Sequence, residues 1–388
     1  MKKLIVITGS RSEYGLLKNL IELLKNDKKI NLKLVVTGSH LSKKFGSSNK
    51  EIKNDGLKIS KKIKILNSGD SPSSINKFFA KGVVKFSKYL SNEKPDSIII
   101  LGDRYEIFSA AISASFLNIP IIHINGGDST EGAIDEFIRH SITKMSWLHF
   151  VTNNLSKKRI LNMGENPKNI FCVGSLGVER IKKTKFLKED LLKKELNIDL
   201  KKKTILITYH SETKSKNTPE RDLKEIINAL SKIKETNLVF TAPNADTFNN
   251  SIFKMINNFI KEKKNCFYFR SLGFLKYISL LKYSDCVLGN SSSGIIEAPT
   301  LNIPTINIGD RQKGRICAKS VINCPPKRKI IFKKITKVLS ESYKKQLINI
   351  KNPYYMRDTA KNIYNIIKNS KNPKNLKKKF YFNEKLFN

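Results

Sequence analysis

The feature that most limits what this chain can fold into is a repeated alternation of short apolar runs with amphipathic stretches. Continuous runs of Val, Ile and Leu separated by helical patterns are typical of parallel strands covered by helices on both faces. The first half is therefore predicted to be a doubly wound α/β unit. Its predicted strands are Leu4–Thr8, Leu32–Thr37, Ser97–Leu101, Pro120–Ile124, Leu148–Thr152 and Ile170–Val173.

The alternation restarts in the second half, after a polar, Lys-rich stretch that ends near Lys203. A chain of 388 residues is long enough for two domains of common size. The predicted strands of the second unit are Thr204–Tyr209, Leu238–Thr241, Cys266–Phe269, Asp285–Leu288 and Thr305–Ile308. We predict a first domain over 1–174, a second over 175–356, a terminal helix over 357–370 that can pack back on the first domain, and a basic tail over 371–388.

The chain carries 73 Lys and Arg residues against 33 Asp and Glu, a formal net charge of +40. A surface this basic attracts polyanions, so one interpretation is a polyanion-binding module with a relict cleft. However, the lysines are spread through the chain, and no RNA-binding aromatic pattern, zinc-finger spacing or basic zipper accompanies them. We therefore interpret the charge as solvated surface and expect no nucleic-acid partner.

The five cysteines are odd in number and scattered, with no close pair. They indicate the reduced thiols of a cytoplasmic protein without a zinc site. The strand-like start Met1–Thr8 is too short for the apolar region of a signal peptide, and no apolar run reaches membrane-spanning length. We expect a cytoplasmic protein without membrane insertion.

The first predicted strand ends in TGSRSEYG over Thr8–Gly15, a polar turn that leads into a helix. Glycine permits close approach of the backbone, a helix N-terminus favours anions, and Arg11 can make forked hydrogen bonds to a phosphate. The turn lacks the Walker A lysine and the G-x-G-x-x-G spacing, so it indicates neither ATP hydrolysis nor dinucleotide binding. An ordinary strand-to-helix turn is the alternative interpretation.

Acidic residues follow two further predicted strands. Asp103 comes after the strand that ends at Leu101, and the stretch from His123 to Glu136 follows the next one. Crowded carboxylates raise one another's pKa, so that one holds a proton while another accepts one. Helix caps and first-turn acids are the alternative, which we adopt for Glu136. Asp103 and Asp135 are predicted to be functional.

Three features of the second half could bind or transform a substrate. His210 follows the strand Thr204–Tyr209, where catalytic and structural roles both remain open. The small-residue turn of GNSSSGIIEAP, over Gly289–Pro299, can cradle a diphosphate, and Glu297 can accept hydrogen bonds from ribose hydroxyls. Arg311 could neutralise the phosphates, although a solvated basic loop is the alternative.

These stretches resemble the hydrolysing UDP-N-acetylglucosamine 2-epimerases of sialic-acid or legionaminic-type synthesis. The resemblance runs from about Lys2 to Asn369 and so covers nearly the whole chain. The most specific stretches are TGSRSEYG, VTGSH, LGDRYE, DEFIRHSITKMS, GNSSSGIIEAP and NIGDRQKGR.

The resemblance implies a GT-B type fold, in which two Rossmann-like doubly wound α/β domains face a central cleft. It also implies a UDP-sugar substrate, a homodimer and no cofactor. Taken with the residues above, it gives a catalytic set of Asp103, Asp135, Glu131, Asp128 and His210. The substrate-binding set is Arg11, His40, Arg104, Asn244, Asp246, Ser291, Ser292, Glu297 and Arg311.

One position departs from the pattern. Many relatives place a glutamate two residues after His123, whereas this chain has Asn125. An amide cannot serve as an acid or a base, so Asp128 or Glu131 is expected to take over that role.

The implied reaction converts UDP-N-acetylglucosamine and water into N-acetylmannosamine and UDP, through 2-acetamidoglucal. No carbonyl acidifies the C2 proton of the intact sugar, so departure of UDP must come first or be well advanced. UDP-2,4-diacetamido-trideoxyglucose and GDP-N-acetylglucosamine remain alternative donors. A GT-B glycosyltransferase is less favoured, because the carboxylates near Asp103 and Asp135 suit proton transfer at the donor.

Overall fold

The computed structural model describes residues 1–42, 49–66, 71–131, 134–212, 218–242, 249–373 and 376–382. The chain forms two compact units, the first composed of Met1–Asp128, Asp135–Glu179 and Met356–Asn388, the second of Ser129–Ile134 and Arg180–Tyr355. The boundary between Glu179 and Arg180 falls within one helix, Leu176–Lys183.

The strands and helices alternate along both units. The strands are β1 (Lys2–Thr8), β2 (Ile30–Val36), β3 (Lys61–Lys62), β4 (Ser97–Leu101), β5 (Ile121–Ile124), β6 (Leu148–Val151), β7 (Ile170–Cys172), β8 (Lys203–Thr208), β9 (Thr236–Thr241), β10 (Cys266–Phe269), β11 (Cys286–Gly289), β12 (Thr305–Ile308) and β13 (Val321–Cys324). The helices are α1 (Arg11–Lys25), α2 (Asn49–Asn54), α3 (Pro72–Glu93), α4 (Tyr105–Phe116), α5 (Asp135–Met145), α6 (Asn154–Asn162), α7 (Leu176–Lys183), α8 (Glu189–Leu196), α9 (Pro219–Leu230), α10 (Asn249–Lys261), α11 (Gly273–Tyr283), α12 (Ser292–Ile296), α13 (Arg328–Val338), α14 (Glu341–Lys345) and α15 (Thr359–Asn369).

The sheet of the first unit is parallel, with the strand order β3-β2-β1-β4-β5-β6-β7 in the described residues. Side chains along β1 alternate between the two faces, because successive residues of a strand point to opposite sides. Leu4 and Val6 pack with α1 and α15, whereas Ile5 and Ile7 pack with α3, α4 and α5. A continuous apolar run is thus needed to bury both faces.

The sheet of the second unit is also parallel, with the strand order β10-β9-β8-β11-β12-β13. Ile205 and Ile207 of β8 lie in the core formed with α9, α10 and α13. Leu206 lies in the core on the opposite face, with α8 and α11. The prediction of two doubly wound parallel units is therefore confirmed.

Two edge strands had no counterpart in the sequence prediction. The strand β3 consists of two exposed lysines, so it carries no apolar signal. The strand β13 is only partly buried, because it lies at the outer edge of its sheet next to β12. Pairing of such strands is decided by the neighbouring strand and not by their own composition.

The last helix packs on the first unit. Ala360, Ile363 and Ile367 of α15 lie in the core that contains α1, and Thr359 Oγ1 donates to the carbonyl of Val173 at 2.8 Å. In the described part of the chain, no helix has the length and apolar character that a membrane crossing needs.

The basic segment after α15 also contacts the first unit. Lys378 Nζ donates to Glu165 Oε2 at 2.6 Å and to the carbonyl of Ser146 at 2.7 Å. Burial works against ionisation of Glu165, but hydrogen bonds from His149, Lys144 and Lys378 outweigh it and lower the pKa of Glu165 to about 2. The tail therefore helps to satisfy a buried carboxylate.

Candidate functional site

Each sheet has one point at which the strand order reverses. In the first unit β1 and β4 are neighbours, yet the chain continues from β1 towards β2 and from β4 towards β5. The loops after two such strands leave in opposite directions and open a crevice at the carboxyl edge. Gly9–Arg11 and Gly102–Arg104 follow β1 and β4, so both predicted turns lie at this reversal point. In the second unit the reversal lies between β8 and β11, which are followed by Tyr209–Glu212 and Asn290–Ser292.

Arg11 follows β1 and is exposed, whereas His40 follows β2 and is buried. Ser10 caps α1, since its side chain accepts from the Glu13 N–H at 3.3 Å. Arg11, the first residue of α1, pairs through Nε with Glu51 Oε2 at 2.7 Å while its side chain stays 46 % exposed. His40 is fully buried with Nε2 3.1 Å from Thr8 Oγ1, and burial lowers its pKa to about 4. The imidazole of His40 is therefore neutral at physiological pH.

Asp103 is bound by an arginine from α5. Arg139 is almost completely buried, and it donates through Nε to Asp103 Oδ2 at 2.7 Å and again through Nη2. Its Nη1 donates to Glu136 Oε2 at 2.9 Å and to the carbonyl of Asp128 at 3.0 Å. Burial alone would lower the pKa of Arg139, but the carboxylates of Asp103 and Asp128 raise it above its usual value. Arg139 is thus a fixed positive charge that orients the Asp103 carboxylate.

The other predicted acids have different surroundings. Asp128 is buried, and its Oδ1 accepts from Ser156 Oγ at 2.6 Å, near the start of α6. Glu131 has a side chain that is 52 % exposed, and it pairs with Lys313 Nζ at 3.1 Å. Asp135 is the partly exposed first residue of α5. Arg139 therefore binds the Asp103 carboxylate and the Asp128 backbone carbonyl, whereas Glu131 belongs to a separate ion pair in the second unit.

The backbone conformation at position 125 favours Asn. Its φ of +66° lies in the left-handed region, which Asn tolerates better than most residues do. Two residues earlier, His123 is fully buried, and burial lowers its pKa to about 4. Its Nε2 lies 2.9 Å from the carbonyl of Gly102, which can only accept. The neutral ring of His123 therefore donates to the residue that precedes Asp103.

In the second unit, Asn290 joins the loops that follow β8 and β11. Its Oδ1 accepts from the His210 N–H at 2.7 Å, and its Nδ2 donates to the His210 carbonyl at 2.9 Å. A Cβ on Gly289, which has φ +133°, would lie 2.0 Å from the carbonyl oxygen of Thr208. Only glycine fits there. These contacts fix the turn that begins at Ser291.

The predicted phosphate turn presents hydroxyl groups and backbone amides. Ser291 caps α12 and accepts from the Ser293 N–H at 3.3 Å, while both Ser291 and Ser292 are partly exposed. Ser293 Oγ donates to Glu297 Oε2 and accepts from the Tyr277 hydroxyl at 2.8 Å. Burial raises the pKa of Glu297. Ser293 thus donates a hydrogen bond to the Glu297 carboxyl and accepts one from Tyr277.

Arg311 is tied to the same turn. Its Nη1 donates to the carbonyl of Asn290 at 3.2 Å. Glu212 Oε1 fixes the backbone of this loop by accepting from the N–H groups of Asp310 and Arg311 at 3.1 and 3.3 Å. Burial, together with the charge of Arg311, lowers the pKa of His210 well below its usual value. Asn290 therefore links a neutral His210 to a cationic Arg311.

Two predicted site residues, Asn244 and Asp246, lie outside the described residues. Arg104 lies at the end of β4 beside Asp103, with its Nε 3.0 Å from Glu106 Oε1. Within the ranges that the structure describes, no group of three or more His, Cys, Asp and Glu side chains could hold a metal ion.

Sequence reasoning missed Arg139 and Asn290 as parts of the site. Arg139 belongs to the stretch DEFIRHSITKMS, which carries part of the family resemblance. Its spacing of four residues from Asp135 places both residues on one face of α5. From the sequence alone, an arginine at that position is predicted to lie on the solvated surface. Only the tertiary structure shows that it is buried. Asn290 directly follows a predicted strand. Its two hydrogen bonds to His210 could be predicted only if β8 and β11 were known to be neighbours.

Comparisons with known proteins show the family of this chain. Residues 22–368 match the UDP-N-acetylglucosamine 2-epimerase family. The chain is 42% identical over 323 residues to the GDP/UDP-N,N'-diacetylbacillosamine 2-epimerase (hydrolyzing) of Campylobacter jejuni, covering 83% of this chain and 84% of that one. It is 38% identical over 376 residues to the polysialic acid biosynthesis protein P7 of Escherichia coli, covering 97% and 96%.

A solved structure confirms the fold class. The UDP-GlcNAc 2-epimerase of Neisseria meningitidis, solved with UDP-GlcNAc bound, superposes with a TM-score of 0.80 at 20% identity, over 95% of this chain and 100% of that chain. At this identity the likeness shows the fold, which has two Rossmann-like units of the GT-B type. From the family match and the two relatives above, we conclude that this chain belongs to the UDP-N-acetylglucosamine 2-epimerase family.

Proposed function

We propose that this protein is a hydrolysing 2-epimerase, which converts UDP-N-acetylglucosamine and water into N-acetylmannosamine and UDP. The observation that carries the proposal is the Asp103 carboxylate, held by the buried Arg139 at the reversal point of the first sheet. A carboxylate that is held in one orientation is suited to removing a proton from carbon. Membership of the epimerase family indicates that the proton is the one on C2.

The first half of the reaction breaks the bond from C1 to the diphosphate oxygen, and UDP leaves with the electron pair. Positive charge that develops at C1 acidifies the C2 proton, which Asp103 accepts, and 2-acetamidoglucal remains. In this proposal the turn at Ser291 and Ser292, together with Arg311, binds the diphosphate as its negative charge grows. Interactions that strengthen as charge develops lower the barrier rather than tighten substrate binding. Arg11 is the additional cation, and Glu297 is assigned to the ribose.

The second half adds a proton at C2 on the opposite face and water at C1. We assign the proton transfer to Asp135, which is partly exposed at the start of α5. Asp128 is less suited, because its carboxylate accepts from Ser156 and is buried. Glu131 is less suited because it pairs with Lys313. His210 is neutral, because burial and the charge of Arg311 lower its pKa, and the same causes make it a weak base, so we assign no proton transfer to it.

A second donor is supported by the relative from Campylobacter jejuni, whose name specifies GDP/UDP-N,N'-diacetylbacillosamine. The same reaction on UDP-2,4-diacetamido-trideoxyglucose would use the same groups at C1 and C2. The two donors differ only at C4 and C6, away from the bonds that change.

Incubation of the protein with each UDP-sugar alone, followed by proton NMR, tests the proposal. A hydrolysing epimerase releases UDP and a free 2-acetamido sugar of manno configuration without any acceptor. Return of an intact UDP-sugar of manno configuration would show a non-hydrolysing epimerase instead. Absence of UDP release from both donors would remove the hydrolysing assignment.

The same incubation in D₂O tests the route. A carboxylate that removes the C2 proton exchanges it with solvent before the product forms, so the product should carry one deuterium at C2. A product with only protium at C2 would count against elimination and rehydration, because the C2 hydrogen would then stay on the sugar or return without exchange.

A further inference from the structure

Two glutamates outside the proposed site lie against the same glycine at the end of β1. Glu13 and Glu106 are only 6 % and 1 % exposed. Glu13 Oε2 accepts from the Gly9 N–H at 2.7 Å, and a Cβ on Gly9 would lie 2.6 Å from Glu106 Cγ. Gly38 makes room in the same way, because a Cβ there would lie 2.9 Å from Glu106 Oε1. The two glycines thus leave room for the Glu106 side chain, next to the Gly9 N–H that binds Glu13.

The hydrogen bonds of this pair are incomplete if both groups are ionised. Glu106 Oε1 accepts from Arg104 Nε at 3.0 Å. Glu106 Oε2 is buried, and it has no hydrogen-bond partner among the residues that the structure describes. Two ionised carboxylates repel each other in a buried pocket and can only accept. One proton on Glu13 relieves the repulsion.

The surroundings of Glu13 favour its protonated form. Burial raises the pKa of Glu13, and the negative charges of Glu106 and Asp103 add to the effect, giving a value of about 8, although Arg104 acts in the opposite direction. His40, on the turn that packs against Gly9, is neutral because burial lowers its pKa to about 4. Arg11 is engaged with Glu51.

We propose that Glu13 and Glu106 share one proton at neutral pH and that this pair positions Arg104 beside Asp103. The pair then carries one negative charge beside the Arg104 guanidinium, whose Nε donates to Glu106 Oε1. Arg104 is held by that ion pair at the edge where β1 and β4 end. The role of Arg104 towards the substrate rests on the proposed function, whereas the shared proton does not.

The pair makes substrate binding sensitive to alkaline pH. When Glu13 loses its proton, a second negative charge appears next to Glu106 and competes for Arg104. The expected effect is a rise in KM above about pH 8, with little change in kcat, because Arg104 binds and does not transfer protons.

Matched amide variants locate the charge. Glu13→Gln keeps an acceptor for the Gly9 N–H and carries no charge at any pH, so it imitates the protonated acid permanently. We expect its KM at neutral pH to stay within about twofold of the native value and its rise at alkaline pH to disappear. Glu106→Gln moves the negative charge away from Arg104 and should raise KM by about tenfold at neutral pH, the size of one charge-assisted hydrogen bond. Glu13→Leu, which can neither accept nor donate, should raise KM as well.

Two measurements without substrate test the proton itself. Difference infrared spectroscopy between about pH 6 and about pH 10 should show loss of a carboxylic-acid carbonyl band that Glu13→Gln lacks. A carboxyl with a raised pKa in the folded state binds more protons than the unfolded chain, so its contribution to stability falls as pH rises from about 4.5 to about 8. Thermal melts should show that this decline is smaller in Glu13→Gln.

The outcomes separate the two proposals. Absence of a Glu13-dependent acid band, or an equal rise in KM for Glu13→Gln and Glu106→Gln at neutral pH, would overturn the shared proton and its link to Arg104. If no UDP is released from either donor, the proposed function fails, while the infrared band and the melts still decide whether the pair holds a proton.

Discussion

The two reversal points of this protein have the same topology and different chemistry. At the end of β4 in the first unit, Asp103 is bound to Arg139, which also binds Glu136, and the buried Glu13 and Glu106 lie close by. At the end of β11 in the second unit, Asn290 makes neutral hydrogen bonds to His210, and the turn offers Ser291 and Ser292. Carboxylates paired with arginines dominate the first point, whereas the second combines Asn290 and serine hydroxyls with the cation of Arg311.

This difference shows how one architecture is adapted to two tasks. Paired carboxylates and arginines set protonation states, as proton transfer requires. Backbone amides, hydroxyls and a single cation bind an anion without competing for its protons. We therefore assign proton transfer at C2 to the first unit, and to the second unit the contacts of Ser291, Ser292 and Arg311 with the diphosphate.

Replacement of Asp103 tests this division most severely. Asp103→Asn should lower kcat by at least about 100-fold, the low end for loss of a general base, and leave the affinity for UDP nearly unchanged. The matched control is Glu136→Gln, which removes another acceptor from the same guanidinium of Arg139 and should cost less than about tenfold. UDP release measures kcat, and calorimetry measures UDP binding. Near-normal turnover of Asp103→Asn would remove Asp103 from the chemistry.

Acid pH should destabilise the first unit through its neutral histidines. His40 and His123 have folded-state pKa values of about 4 against an unfolded value of 6.5, so the unfolded chain binds more protons between these limits. The free energy of unfolding should therefore fall as pH drops from about 6.5 to about 4, by on the order of 3 kcal/mol for each histidine. Denaturant titrations at several pH values measure this, and His40→Gln should flatten the dependence. A constant stability across that window would show that these rings are charged or exposed.

The second reversal point is tested by its hydroxyl groups. The double change Ser291→Ala and Ser292→Ala should weaken UDP binding by about 1–3 kcal/mol, since two hydrogen bonds to a charged group are lost. Because Ser291 also caps α12, the control is Ser340→Ala, which removes a comparable cap from α14. Calorimetry of UDP binding compares the two. Unchanged affinity in the double variant would place the diphosphate elsewhere.

The smallest effect concerns a charge of the first unit that lies away from its reversal point. Lys378→Met removes one of the donors to Glu165 and leaves Lys144 and His149 in place. We expect a loss of about 1 kcal/mol in stability and unchanged kcat, because Lys378 remains partly solvated. The neighbouring Lys379→Met serves as a control in thermal melts. A large fall in kcat would mean that the tail acts on α5 and its Asp135.

The sequence by itself determined the parallel strands, because a strand buried on both faces must be continuously apolar and that signal is local, as in Leu4–Thr8 and Thr204–Tyr209. It also indicated which residues follow those strands, and parallel topology brings such residues to one edge. The edge strands β3 and β13 gave no such signal, since one or both of their faces remain exposed.

Only the tertiary structure decided the charge partners. Arg139 is on an amphipathic helix, and its burial against Asp103 depends on how α5 packs beside β4 and β5. Glu13 and Glu106 are far apart in the chain, and they meet because β1 and β4 are neighbours and Gly9 and Gly38 leave space. The physical reason is that ionisation depends on burial and on nearby charges, which are properties of the packed chain and not of any local pattern.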